Sequence, residues 1–320
     1  MPELPWPRAA VAQAVALAGP RAEVRHISAL AGGTHARTYL IQTANPELDV
    51  ILREFPAGDP AAGQEAQVLT ALDGLGGLAP RLLASSPLPD AVCPLLDAAC
   101  PLLDAAFPDA IGGGTPSAGP WNLISRLPGA ADITPGRPSA FASQLGQTLA
   151  RIHAAPQSGL PSVFDRPGGS LKALSGPAAG PVAARQHLLT GAPGVLTHYD
   201  FWSGNTLWRD GILTGVVDWS GSAIGPRGYD VGWCRLDLYL LYDQRIADCF
   251  LDAYQAAAGN AQAGSLLWDL WAVARSYRDV ESWVPNYHDL GRSDLTATEL
   301  RKRHTQWSEY LLGQSASTTF

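Results

Sequence analysis

Asp210-Gly211 is the strongest short-range folding signal in this 320-residue chain. An Asp-Gly pair between two β-forming runs favours a two-residue turn with positive φ at both positions, and such a turn sets a hairpin and its register together. The flanks are "NTLWR" before it and "ILTGVVDW" after it. With the turn centred there, Asn205 faces Val216, and Asp218 lies two residues further along the partner strand. The amide and the carboxylate then reach the same end of one hairpin, roughly 7–8 Å apart at the backbone. Asp200, five residues before Asn205, enters that end through the "DFWSG" loop. Asn and Asp oxygens are hard ligands, suited to a Mg²⁺ carrying phosphates. One carboxylate opening a short loop, an amide five residues on and a second carboxylate after a hairpin are the parts of a phosphoryl-transfer site. Asp210 itself is turn chemistry.

The rest of the chain changes character along its length. Residues 24 to 55 read as strands: "RTYLIQT" and "DVILREF" are rich in β-formers, with turn residues "ANPEL" between them. Asp59-Pro60 opens a helix expected to run to about Asp73 and stop at Gly74. Glu65, Leu69 and Leu72 share one face of that helix, so a carboxylate sits among core leucines. "WNLISRLPG" (121–129) reads as a buried strand leaving into a turn, a crossover between lobes. A helix from about Ser139 carries Phe141, Leu145, Leu149 and Ile152 on one stripe and ends before Pro156. Residues 155–194 are rich in Gly and Pro and show little periodicity, whereas the chain after 230 turns helical and aromatic. "CPLLDAA" occurs twice in tandem from 93 to 106, and its prolines prevent one continuous helix, so it reads as a duplication in a surface region. The expectation is an α+β bilobal fold: a small antiparallel-sheet front lobe (1–124), a hinge near 123–129, and a larger, mainly helical lobe (125–320).

Composition narrows the function classes. A net charge of −7 with no basic cluster disfavours sequence-independent nucleic-acid binding. Four cysteines do not make a disulfide framework. There is no run of 18 apolar residues to span a membrane, and "PRAAVAQAVALAG" resembles an amphipathic helix more than a signal peptide. The expectation is a cytoplasmic enzyme without a membrane or nucleic-acid partner.

"HYDFWSGN" resembles the H-x-D-x4-N catalytic loop of the aminoglycoside phosphotransferase and choline kinase superfamily, protein-kinase-like small-molecule kinases. "VVDW" resembles its metal-binding segment. In the family's order, "LAGGTHARTYLI" resembles the nucleotide-covering loop, "ILREF" the strand with the phosphate-binding base, and "QEAQVLTAL" the helix bearing that base's carboxylate partner. "LISRLPG" resembles the hinge, "LGQTLARIHA" the helix after it, and "GPRGYDVG" the segment after the metal site. The resemblance covers about residues 24–255.

The resemblance implies a bilobal kinase-like fold and transfer of the γ-phosphoryl of ATP or GTP, with Mg²⁺, to a small-molecule hydroxyl, aminoglycoside-like or other. It implies that Asp200 positions or deprotonates the acceptor hydroxyl and that His198 holds the catalytic loop by hydrogen bonds. Asn205 and Asp218 would bind Mg²⁺. Gly32 and Gly33 would let backbone amides approach the triphosphate, and backbone groups of Ser125 and Leu127 would meet the base. Asp230 would brace the catalytic loop. Arg53 stands where the best-known members have Lys; its fixed fork can grip phosphates and pair with Glu65, which accounts for that inward carboxylate. "AGGTHAR" departs from G-x-G-x-x-G. Two rivals are a nucleotide-binding pseudokinase with a regulatory or scaffold role, against which intact Asp200, Asn205 and Asp218 argue, and a metal-dependent hydrolase using His198 and Asp200. Aromatics and carboxylates after 230 would form the acceptor pocket. The sequence leaves oligomeric state and the choice between ATP and GTP open.

Overall fold

The computed structural model describes residues 7–30, 36–86, 119–162, 174–190, 194–259 and 266–317. The tandem "CPLLDAA" and the loop holding Gly32 and Gly33 lie outside the described residues. The chain divides into two compact units, residues 1–74 with 80–127, and residues 75–79 with 128–320. The segment 75–79 joins the second unit through a hydrogen bond from Val216 N to Leu78 O (2.7 Å).

In the first unit, β1 (Glu23–Ala29), β2 (Arg37–Ala44), β3 (Leu48–Glu54), β4 (Leu82–Ser85) and β5 (Trp121–Ser125) form an antiparallel sheet in the order β1-β2-β3-β5-β4. Side chains alternate between the two faces of a strand. Tyr39 and Ile41, Val50 and Leu52, and Trp121 and Leu123 therefore share one face, where Ala10, Val11 and Ala14 of helix α1 (Arg8–Ala18) complete a buried cluster. Arg53 and Asn122 are partners in the ladder and out of phase with that set, so they point to the other face. Helix α2 (Ala61–Leu72) supplies Glu65 to them. Asp59 opens α2 by accepting from Ala61 N (2.8 Å), and Asp73 closes it in the left-handed conformation.

The second unit is mainly helical. Helix α3 (Pro138–His153) buries Phe141, Leu145, Leu149 and Ile152, the stripe expected from sequence. The stretch read as irregular holds two five-residue helices, α4 (Ala179–Ala183) and α5 (Gln186–Thr190), too short for a helical period to register. Helices α6 (Gly228–Leu241), α7 (Gln244–Ala258), α8 (Leu266–Ser276), α9 (Val284–Asp289) and α10 (Ala297–Ser317) follow. A core around Tyr229, Trp268, Trp271 and Trp307 is shared by α6, α8 and α10. No helix among the described residues is long and apolar enough to cross a membrane.

Gly146 sets the approach of α3 to α7. A Cβ there would stand 2.4 Å from Phe250 O and 2.8 Å from Tyr254 N. Ala normally gains about 1 kcal/mol over Gly inside a helix. Here backbone is struck, and forced overpacking costs about 1–3 kcal/mol. Gly146→Ala should therefore destabilise the protein, read as a lower urea midpoint at unchanged slope. A higher midpoint would show that the two helices separate freely.

Short strands carry the chemistry-bearing segment. β7 (Gly194–Thr197) pairs with β10 (Ala223–Pro226), and β6 (Ala130–Ala131), β8 (Thr206–Arg209) and β9 (Ile212–Val216) form a three-stranded antiparallel sheet in the order β6-β8-β9. Asp210 and Gly211 have φ of 53° and 75°, the positive pair that the tight turn requires. The register corrects the sequence reading. Arg209↔Ile212 and Trp208↔Leu213 follow it, but a bulge then shifts the ladder by one, so Val216 faces Thr206 instead of Asn205. Thr214 occupies the bulge, its hydroxyl donating to Pro128 O (2.5 Å) and Leu207 O (3.1 Å). Asn205 instead accepts from Val217 N through its backbone oxygen (2.9 Å), which keeps it beside the start of the Asp218 segment.

Candidate active site

The loop from His198 to Asn205 runs from the end of β7 to the start of β8, and α6 holds it. Asp230, Trp233 and Asp237 stand three and four residues apart and so share one helix face. The wholly buried Asp230 accepts from His198 N (2.7 Å) and Tyr199 N (2.8 Å), and its Oδ2 pairs with the His153 ring (3.1 Å). Two turns on, Asp237 accepts from Ser203 N (2.9 Å), Ser203 Oγ (2.6 Å) and Tyr287 OH (3.0 Å). Between them the indole of Trp233 donates to Asp200 Oδ1 (3.1 Å). The helix thus fixes the loop at three points, and its spacing sets theirs.

Asp200 lies half-buried at the middle of this loop. Asn205 Nδ2 donates to its backbone oxygen (2.9 Å) and to Oδ2 (3.1 Å). Burial pushes the Asp200 carboxyl above the ordinary range; nearby Asp218 adds to this, whereas His198 and the Trp233 and Asn205 hydrogen bonds oppose it. His198 is fully buried, edge-on to Trp219 (4.7 Å), and its Nε2–H donates to Val217 O (2.9 Å). That bond ties the Asp200 loop to the residue before Asp218. Asp218 itself takes φ of 63°, and its Oδ1 accepts from Ser220 Oγ (2.7 Å). The hairpin end therefore gathers Asp200, Asn205, His198 and the Asp218 segment.

A cleft opens beside Asp200, lined by Trp202, Trp233, Trp283, Tyr287, Asp237 and Asn286. Trp202 meets Tyr287 edge-on at 5.9 Å, and Trp233 meets Trp283 at 5.3 Å. A half-buried carboxylate at one side of an aromatic cleft is the arrangement of a small-molecule site.

The sequence matches the APH phosphotransferase enzyme family over residues 26–277. The chain belongs to this family. It is a phosphotransferase of the kind that acts on small-molecule hydroxyl groups. Its fold is shared with a thermostable mutant of aminoglycoside phosphotransferase APH(4)-Ia in ternary complex with AMP-PNP and hygromycin B (14% identity, TM-score 0.56, covering 92% of this chain and 96% of that one). Aminoglycoside-3'-phosphotransferase of type VIII shares it too (14%, 0.52, 84% and 98%). So does choline kinase from Cryptosporidium parvum Iowa II (11%, 0.52, 92% and 89%). No protein of curated function matches the sequence. The bilobal protein-kinase-like fold expected from sequence is the one these structures have.

In the first unit of this phosphotransferase, Arg53 Nε lies 3.0 Å from Glu65 Oε1, and both side chains are buried. Asn122 Nδ2 donates to Glu65 Oε2 (3.0 Å) and to Ala62 O (2.9 Å), fixing the carboxylate from the next strand. Asn122 lies 57 residues from Glu65 and carried no sequence signal. Ser125 is already engaged: its N–H donates to Arg81 O (2.9 Å) and its hydroxyl accepts from Arg81 N (2.9 Å). Of its backbone groups only the carbonyl is then suited to meet a base, which narrows the expectation. Leu127 ends the first unit.

The donor set fits a hard cation. Both hydrogen bonds of the Asn205 side chain leave through Nδ2, so its Oδ1 is the atom not consumed. That oxygen and the Asp218 carboxylate suit Mg²⁺, which keeps several waters and takes phosphate oxygens for its remaining positions. Among the described residues no three His, Cys, Asp or Glu side chains gather as a metal site, so the hydrolase reading of His198 and Asp200 has no ligand set.

Proposed function

We propose that this phosphotransferase moves the γ-phosphoryl group of ATP or GTP to a hydroxyl of a small acceptor, aminoglycoside-like or another amine-bearing alcohol. The observation that carries the reading is Asp200: a half-buried carboxylate, held at both oxygens, beside a cleft and next to an amide whose oxygen is available to a metal. The acceptor hydroxyl would hydrogen-bond to Asp200. Its oxygen would form the new bond to the γ-phosphorus as the bond to the bridging β–γ oxygen breaks. The diphosphate would leave with that electron pair, and the hydroxyl proton would pass to Asp200. Mg²⁺, held by Asn205 and Asp218, would neutralise the phosphate charge. Most of the acceleration comes from placement and electrostatics, because the transferred group needs little covalent help. A nucleoside triphosphate donor implies a cytoplasmic enzyme.

In the first unit, the nucleotide-binding lobe of this reading, Arg53 would grip the nucleotide phosphates with Glu65 orienting its fork. Glu65→Gln keeps the shape and removes the charge. It should raise the nucleotide KM about 5–10-fold and cost about 1.5–3 kcal/mol of stability, the range for a hydrogen bond to a charged group. An unchanged nucleotide KM would remove Arg53 from the phosphate site.

Three tryptophans, a tyrosine and a buried carboxylate favour a cationic acceptor. Burial pushes the Asp237 carboxyl up to about 6, against the Ser203 and Tyr287 hydrogen bonds that favour its charged form. Above that value it is ionised and attracts a cation; below it the charge is lost. The KM for an amine-bearing acceptor should rise as pH falls through about 6, and Asp237→Asn should flatten that rise. The same rise with an uncharged acceptor would place its origin elsewhere.

The reading is tested by transfer from Mg·ATP, with Mg·GTP in parallel, to pooled aminoglycosides, macrolides, amino alcohols and simple sugars. Transfer to one pool, lost in Asp200→Asn, would support it. Nucleotide binding without transfer would favour a pseudokinase; no binding would end the kinase reading.

A further inference from the structure

Both oxygens of Asp200 carry a hydrogen bond, and the two donors belong to different parts of the site. Asn205 Nδ2 reaches Oδ2 (3.1 Å) from the side of the metal ligands, and Trp233 Nε1 reaches Oδ1 (3.1 Å) from the side of the cleft. Trp233 is itself a wall of that cleft. Its ring is braced by Trp283 (5.3 Å between centroids, planes at 64°) and Trp271 (6.5 Å, 54°), and its backbone lies between Asp230 and Asp237 on α6. The indole has little freedom, and neither has the carboxylate it holds.

We propose that Trp233 is a positioning residue for phosphoryl transfer: its N–H fixes the Asp200 carboxylate while its ring bounds the space where the acceptor rests. One side chain then ties the acceptor's place to that of the group that orients its hydroxyl. This inference rests on the kinase reading of the site. Trp202 and Trp283 offer aromatic surface to the same cleft, and a wall alone needs only a ring. The hydrogen bond to Asp200 is what a phenylalanine at position 233 would lack. With Asn205 as its remaining side-chain donor, Asp200 could turn about its Cβ–Cγ bond, and the hydroxyl would meet the phosphorus off line. Misplacement of reacting groups by about 1 Å costs on the order of 100-fold in rate.

The test compares wild type, Trp233→Phe and a protein carrying 3-(benzothiophen-3-yl)alanine at position 233. That isostere keeps the bicyclic shape and puts sulfur in place of N–H. Each is assayed on the pool that wild type phosphorylates. The expected result is a kcat about 10–100-fold lower in both variants, with the nucleotide KM and thermal unfolding temperature of the sulfur isostere unchanged. A structural role alone would instead lower the unfolding temperature and leave the isostere active. A wild-type kcat in the isostere overturns the proposal. A second readout needs no acceptor: the ¹⁵N-indole resonance of Trp233, assigned by its absence in Trp233→Phe, should move upfield in Asp200→Ala. An unmoved resonance overturns the contact itself. Failure of wild type to phosphorylate any pool or to bind nucleotide would sink the kinase reading, and the resonance would still decide the contact.

Discussion

Asp200→Asn is expected to lower kcat by about 10²–10⁴-fold, the range for loss of a positioned acid–base group, while nucleotide affinity stays within a few-fold. The acceptor hydroxyl needs a strong acceptor for its proton, and an amide oxygen is a poor one. Nothing places Asp200 on the nucleotide, whose proposed contacts are Arg53, Asn205 and Asp218. The geometry adds a second consequence. Oδ1 accepts from Trp233 Nε1 and Oδ2 accepts from Asn205 Nδ2. An asparagine has one acceptor oxygen, so one of those donors must face an NH₂ group. About 1 kcal/mol of stability should be lost with the activity. Transfer kinetics, nucleotide titration and urea unfolding on one preparation separate the three effects. Transfer at the wild-type rate would remove Asp200 from the chemistry.

The parts of this site that are local in sequence could be read without coordinates. The Asp-Gly turn demands positive φ at both positions and has it, so the hairpin and the gathering of Asn205 near Asp218 followed. Glu65 repeats in phase with Leu69 and Leu72, so its carboxylate was expected to face inward, and the family resemblance supplied Arg53 as its partner. What escaped depends on contacts across the fold. The bulge at Thr214 is held by Pro128 O, 86 residues away, and no strand pattern announces it. Asp237 read as one of several acidic residues after position 230, because the loop donors that occupy it lie 34 residues upstream. The signal was present in a weaker form. Asp230, Trp233 and Asp237 repeat at helical spacing, and a polar set on one face of an otherwise buried helix must meet partners somewhere. The joining of segment 75–79 to the second unit includes a backbone bond to β9, a kind of contact to which composition is blind.

Asp230→Ala should cause the largest loss of stability, about 3–5 kcal/mol, the range for breaking a buried charged network by removing one partner. The carboxylate is wholly buried and receives the N–H groups of His198 and Tyr199 and the ring of His153. Two backbone donors and an imidazole would be left dry and unpaired, at about 1–3 kcal/mol each. The imidazole is not an independent charge: burial lowers the His153 pKa more than Asp230 raises it, and its other nitrogen is bonded to Tyr254 OH (2.8 Å). Asp230→Asn should cost less, since one amide oxygen can still accept one of the loop N–H groups. Wild type, Asn and Ala should therefore rank in that order by urea unfolding. Activity should fall further than the folded fraction explains. Tyr199, next to Asp200, has φ of 75°, a conformation a tyrosine holds only under constraint, and Asp230 is the group that grips its N–H. Released from that grip, Tyr199 would relax toward negative φ and carry Asp200 away from its donors. An Asp230→Ala protein with wild-type stability and kcat would show that β7, the His198–Val217 bond and the Trp233 and Asp237 contacts hold the loop without Asp230.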